Sequence, residues 1–104
     1  MKKFQKAASI TELIFQEEIK RGVQTTLIVK GYLGDPSWKL LPETLDFDED
    51  RKIVKIRLFA KKEPNTIAIQ VIKDFKKEFL LTFLSGGKWT VHCNTKSIEI
   101  EVEE

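Results

Sequence analysis

Apolar and polar residues alternate along most of this chain with a period close to two, as expected of strands whose successive side chains face opposite sides. Leu13, Phe15 and Ile19 interleave with Glu12, Gln16 and Glu18, and the run from Val23 to Leu33 is rich in β-branched residues. Gly34-Asp35-Pro36-Ser37 ends that run as a turn: glycine relaxes φ, aspartate bonds forward to the backbone, and proline fixes φ. Trp38 to Leu41 resumes an apolar stretch, and Pro42 confines the next segment to an edge or bulged strand. Leu45-Asp46-Phe47-Asp48, the polar Glu49-Asp50 and the run Arg51 to Ala60 read as a hairpin. Lys61 to Thr66 reads as a loop, Ile67 to Ile72 as a short strand, Lys73 to Lys76 as a turn, and Glu78 to Leu84 as a central strand. Ser85-Gly86-Gly87-Lys88 forms a hairpin loop before the alternating Trp89, Val91 and Cys93; Asn94-Thr95-Lys96 turns the chain again. Ile98, Ile100 and Val102 then alternate with Glu99, Glu101 and Glu103.

Short strands at regular spacing, with no helical stripe, predict an all-β domain. The order of strands suits an immunoglobulin-like antiparallel β-sandwich of seven to eight strands; a small OB-like barrel is the alternative. Residues 1–10 are expected to be a flexible N-terminal segment, and residues 11–104 a single domain. The inward faces should carry Leu13, Phe15, Leu27, Val29, Ile56, Leu58, Ile69, Val71, Leu81, Trp89, Val91, Ile98 and Ile100.

Composition narrows the class. An apolar fraction of 41% supports a packed core, and 33% charged residues with a single Met and a single Cys is a thermophile-like balance. The net charge of +2 is not the excess of a strong nucleic-acid binder. Cys93 has no partner for an internal disulfide. The basic start, Met1-Lys2-Lys3-Phe4-Gln5-Lys6-Ala7-Ala8, is not followed by an apolar stretch of signal-peptide length, and no apolar run is long enough to span a bilayer. The expected location is therefore cytoplasmic.

Candidate chemistry is thin. His92 is the single histidine and adjoins Cys93, but neighbours on a strand point to opposite faces and do not form a dyad or share a metal. Cys93 shares its face with Trp89 and Val91 and reads as a small buried hydrophobe. Asp46, Asp48, Glu49 and Asp50 form the densest carboxylate cluster, yet lack the central Gly and closing Glu of a calcium loop; a solvated turn accounts for them. Gly86-Gly87-Lys88 lacks the first glycine, the following Ser or Thr and the helix of a phosphate-cradling loop. Lys55, Arg57 and Lys61 share a strand face with Ile53 and Phe59, which makes Lys55, Arg57, Phe59 and Lys61 the candidate binding residues. Glu99, Glu101 and Glu103 give the last strand an acidic face, while Tyr32, Trp38 and Trp89 suit a core as well as a surface.

From Gly31 to Val102 the layout resembles a group of small immunoglobulin-like domains in uncharacterised bacterial and archaeal proteins, often secreted or lipoproteins. The matching pieces are Gly31-Tyr32-Leu33-Gly34-Asp35-Pro36-Ser37-Trp38, Ile67-Ala68-Ile69-Gln70-Val71-Ile72 and Gly86-Gly87-Lys88-Trp89-Thr90-Val91-His92-Cys93-Asn94. In those domains the first two pieces often each hold a cysteine, as a disulfide pair. The corresponding positions here are Ser37 and Ala68, which the resemblance implies lie close together and whose lack of sulfur fits a reducing compartment. The group implies a fold but no activity to transfer.

The expectation is thus a non-enzymatic domain that needs no cofactor or metal and binds a protein or peptide through a sheet edge or end loops. Single-stranded nucleic acid or another polyanion on the Lys55–Arg57–Lys61 face is the alternative, disfavoured by the small net charge. A hydrolase with an unrecognised carboxylate site is the third reading, which a clustering of Asp46, Asp48 and Asp50 in a concave pocket would favour.

Overall fold

A computed structural model describes residues 5–34, 38–62 and 72–104. Among them it contains eleven strands and no helix: β1 (Gln5–Ala7), β2 (Ser9–Phe15), β3 (Ile19–Lys20), β4 (Thr25–Leu33), β5 (Trp38–Leu40), β6 (Thr44–Asp48), β7 (Ile53–Arg57), β8 (Phe59–Lys62), β9 (Lys73–Leu81), β10 (Gly87–Cys93) and β11 (Lys96–Glu103). The chain is all-β, as its period-two pattern predicts. The eleven elements form eight extended runs, because three runs are interrupted where they change partners, at Ala8, at residues 41–43 and at Leu58.

The strands form three sheets, in the orders β2–β4–β9, β3–β11–β10–β7–β6 and β1–β8–β5. Alternation supplies the core from both larger sheets: Leu27, Val29 and Leu81 from the first, and Val54, Ile56, Trp89 and Val91 from the second, join one buried cluster. Trp89 and Phe83 are fully buried, with ring centroids 4.9 Å apart in a T-shaped contact. Such a pair adds about 0.5–1.5 kcal/mol beyond the area it buries. The indole N–H donates to the Ser85 carbonyl at 2.9 Å, so the tryptophan is buried without an orphaned donor. Phe47 closes on both rings, and Phe15 packs against Phe83. Of the expected inward residues, Leu13, Phe15, Ile98 and Ile100 are half-buried against this cluster and the other described ones lie inside it; Ile69 and Val71 fall outside the described residues. Ser37 and Ala68 also fall outside them.

Several expectations are corrected. Pairing is not uniformly antiparallel: β10 runs parallel to β7, and β11 parallel to β3. The chain leaves β7 through β8, crosses to β9 in the opposite sheet and returns as β10 in the same direction, and a crossover of this kind is what a parallel pair requires. Residues 5–10, expected to be a flexible lead-in, form β1 and the start of β2, and Ala8 and Ile10 are buried. Lys73 to Lys76, expected as a turn, open β9. Lys77 interrupts an inward line of Phe75, Phe79 and Leu81 and disguises the strand; its ammonium is met at 2.8 Å by Glu43. Phe75 stands directly opposite Gly31, beside the bulge in the β2–β4 ladder. A Cβ at Gly31 would run into the Ser9 carbonyl and lie 2.7 Å from the Phe75 ring, so glycine is required there by close approach. The Glu78–Leu84 segment, expected to be central, is at the edge of its sheet among the described residues, where β9 pairs with β4 alone, and Leu80 and Leu84 are exposed. Tyr32 is exposed too, whereas Trp38 is half-buried with the Lys6 ammonium 4.5 Å over its ring.

One side chain holds the seam where sheets exchange strands. Asn94 follows β10 with φ 54°, a left-handed conformation that asparagine tolerates better than most residues. Its Nδ2 donates to the Ala8 carbonyl at 2.7 Å and to the Leu58 carbonyl at 2.9 Å, while its Oδ1 accepts from the Leu58 N–H at 3.0 Å. Ala8 and Leu58 are two of the points where extended runs change partners, so the amide replaces ladder bonds that neither sheet can make there.

Candidate functional site

The strand run from Ile53 to Lys62 keeps its alternation through Leu58. Val54, Ile56, Leu58 and Ala60 point into the core, and Lys55, Arg57, Phe59 and Lys61 are exposed on the other face. The four candidate binding residues therefore share one surface. Register adds neighbours that the sequence does not place. The parallel β7–β10 ladder sets His92 beside Lys55, the β10–β11 ladder sets Ser97 beyond His92, and the β6–β7 ladder sets Asp46 on the other side of Lys55. Adjacent strands lie about 4.8 Å apart, so Asp46, Lys55, His92 and Ser97 form one row across four strands. Farther along, Lys61 stands between Gln5 of β1 and Lys39 of β5.

A groove of about 420 Å³ opens along this face, lined by Ala7, Lys55, Ile56, Arg57, Phe59, His92, Asn94 and Thr95. It lies between the β10–β11 turn and the end of β1, over the seam that Asn94 closes. The Asn94 amide is committed to backbone, so it stiffens the floor of the groove. A second hollow of about 320 Å³, lined by Thr44, Leu45, Asp46, Lys55 and Arg57, lies on the far side of β7. Lys55 and Arg57 line both and form the ridge between them. Lys61 lies outside both hollows, farther along the same face. Among the described residues, Lys55, Arg57, Lys61 and His92 enter no ion pair or side-chain hydrogen bond. Phe59 leaves 40% of its surface in solvent. Another hollow of similar size, lined by Thr11, Lys30, Gly31, Asp74, Phe75 and Lys76, mixes both signs of charge.

Asp48, Glu49 and the Gly86–Lys88 loop are taken up in structure. Asp48 Oδ1 accepts from the Arg51 N–H at 3.1 Å and so shapes the β6–β7 turn. Glu49 accepts from the Ser85 hydroxyl at 3.2 Å. Lys52, itself left-handed at φ 57°, donates to the Gly86 carbonyl at 2.6 Å, which ties the two hairpin turns together. Gly87 begins a strand, so the Gly86-Gly87-Lys88 loop presents no helix N-terminus. Among the described residues no three His, Cys, Asp or Glu side chains gather closely enough to hold a metal ion.

Cys93 is fully buried among Trp89 and Val91, and burial pushes its thiol up to about 11, away from the thiolate that reactivity requires. His92 faces the opposite side, as strand geometry demands. Ser97 stands across from it, but no hydrogen bond joins the two among the described residues. The other residue beside His92 in register is Lys55, so among the described residues no carboxylate stands next to the imidazole to orient it as the base of a serine–histidine pair.

No protein-family model, curated protein or solved structure matches the chain. Among the described residues no helix is long and apolar enough to cross a membrane.

Proposed function

We propose that this chain is a non-catalytic recognition domain of immunoglobulin-like sandwich architecture, which holds an extended segment of a protein partner in the groove beside Arg57. One buried cluster shared by the β2–β4–β9 and β3–β11–β10–β7–β6 sheets, with a tryptophan inside it, supports the sandwich reading. The observation that carries the function is the groove itself: an apolar shelf made by Phe59 and Ala7 beside cationic groups with no partner within the described chain. Such groups have no intramolecular contact among the described residues to give up on binding. Neither a cofactor nor a metal enters this reading. A free, buried Cys93 suits a reducing compartment, and the cytoplasm is the proposed location.

Selection of a displayed peptide library on the folded protein tests the proposal. Selected peptides should lose at least about tenfold in affinity on Phe59→Ala, equivalent to about 1.4 kcal/mol. They should be indifferent to Leu84→Ala, an exposed apolar side chain outside the groove. Peptides that survive Phe59→Ala, or that depend on Leu84, would refute the assignment.

A further inference from the structure

We infer that the groove reads carboxylates, and that its occupant is an extended acidic segment of the partner, anchored by Arg57 and Lys55 and resting on Phe59. The inference rests on the peptide-recognition reading and gives it a chemical class. Both cations stand on one strand, two residues apart, so they face the same way about 6.6 Å apart. That is also the spacing of like-facing side chains on an extended peptide, so acidic residues at alternate positions meet both cations in turn. Arg57 presents a planar fork that takes a carboxylate through two parallel hydrogen bonds. Lys61 continues the line beyond Phe59 on β8, four residues from Arg57, and extends the positive surface past the groove.

The same face argues against nucleic acid. Phe59 is the one exposed aromatic ring lining the groove among the described residues, whereas a single-strand platform stacks successive bases on several rings. Asp46 flanks Lys55, and the outer side of β11 carries Glu99 and Glu101, so a long phosphate backbone crossing this sheet meets repulsion on both sides of the ridge. A short acidic segment confined to the groove avoids both.

The experiment titrates the full, isotopically labelled chain with an alternating Glu–Thr octapeptide and follows backbone amide shifts. Parallel titrations use the Gln–Thr counterpart and an oligothymidylate of equal length. The Glu–Thr peptide should shift amides in β7, β8 and the β10–β11 turn, and its affinity should fall at least about tenfold between about 50 and about 300 mM salt. Arg57→Gln and Lys55→Gln, both at exposed positions, should each weaken it several-fold. Lys88→Gln should not, since Lys88 pairs with Glu99 at 2.7 Å away from the groove. Equal shifts with the Gln–Thr peptide at the same residues would overturn the carboxylate reading and leave the peptide-binding reading standing. Shifts with oligothymidylate and with neither peptide would overturn both. Absence of groove shifts with all three probes, or binding insensitive to Arg57→Gln and Lys55→Gln, would overturn the acidic occupant.

Discussion

Replacing Asn94 with alanine probes the seam most directly. The substitution removes three side-chain hydrogen bonds at once. The Leu58 carbonyl keeps a partner, because the Ala8 N–H still donates to it at 2.9 Å. The Leu58 N–H and the Ala8 carbonyl do not, and both residues are buried. An orphaned buried group costs about 1–3 kcal/mol, so the two together cost about 2–6 kcal/mol. Alanine held at φ 54° adds about 1 kcal/mol that asparagine largely avoids. The expected loss is about 3–7 kcal/mol, a large share of the roughly 5–15 kcal/mol that a domain of this kind holds. Urea titration followed by the fluorescence of buried Trp89 measures it, and the midpoint should fall while the slope stays constant. Asn94→Gly separates the two contributions: it relieves the backbone cost and still loses the bonds, so it should be about 1 kcal/mol less destabilising than alanine. Hydrogen exchange at the Leu58 amide should accelerate in both variants. An alanine variant within about 1 kcal/mol of wild type, or one more stable than the glycine variant, would refute the claim that this amide holds the seam.

Burial at Cys93 and close approach at Gly31 give two more tests. The Cys93 thiol, raised to about 11 in the fold, ionises at about pH 8.5 once unfolded, so the unfolded state sheds its proton first. Its contribution is complete below about pH 8.5 and is lost as pH rises through about 11, at roughly 1.4 kcal/mol for each pH unit between the two values; urea midpoints across that range should fall, and fall less steeply in Cys93→Ala. The native thiol should also resist a maleimide that labels it promptly in urea. Gly31→Ala should cost at least about 2 kcal/mol, because the added methyl meets the Ser9 carbonyl and the Phe75 ring; Phe75→Ala should recover part of that cost in the double variant, and additive losses would contradict the assigned contact.

Alternation made much of this molecule legible. Trp89, Val91 and Cys93 point inward and His92 outward because side chains alternate along any strand, whatever lies beside it. The same rule places Lys55, Arg57, Phe59 and Lys61 on one face, and the interruption at Leu58 leaves that alternation intact. Free, buried Cys93 was readable for the same reason. Where local pattern was broken by a single residue the reading failed: Lys77 on an inward line disguised β9, and the Glu43 that compensates it lies on another part of the chain.

Pairing is a different matter, since a backbone edge carries no label for its partner. Nothing in residues 53–56 or 90–93 announces that they run side by side and parallel; the crossover through β9 decides it. Asn94 looks like a turn residue in isolation, and its function as a seam exists only once Ala8 and Leu58, 86 and 36 residues away in the chain, have been brought against it. The groove is a product of the same event. The amino-acid pattern determines which side chains share a face, because that is a property of one strand; packing alone decides that His92 joins Lys55 and that Ala7 and Thr95 line one groove with Arg57, because a hollow belongs to the space between chain segments.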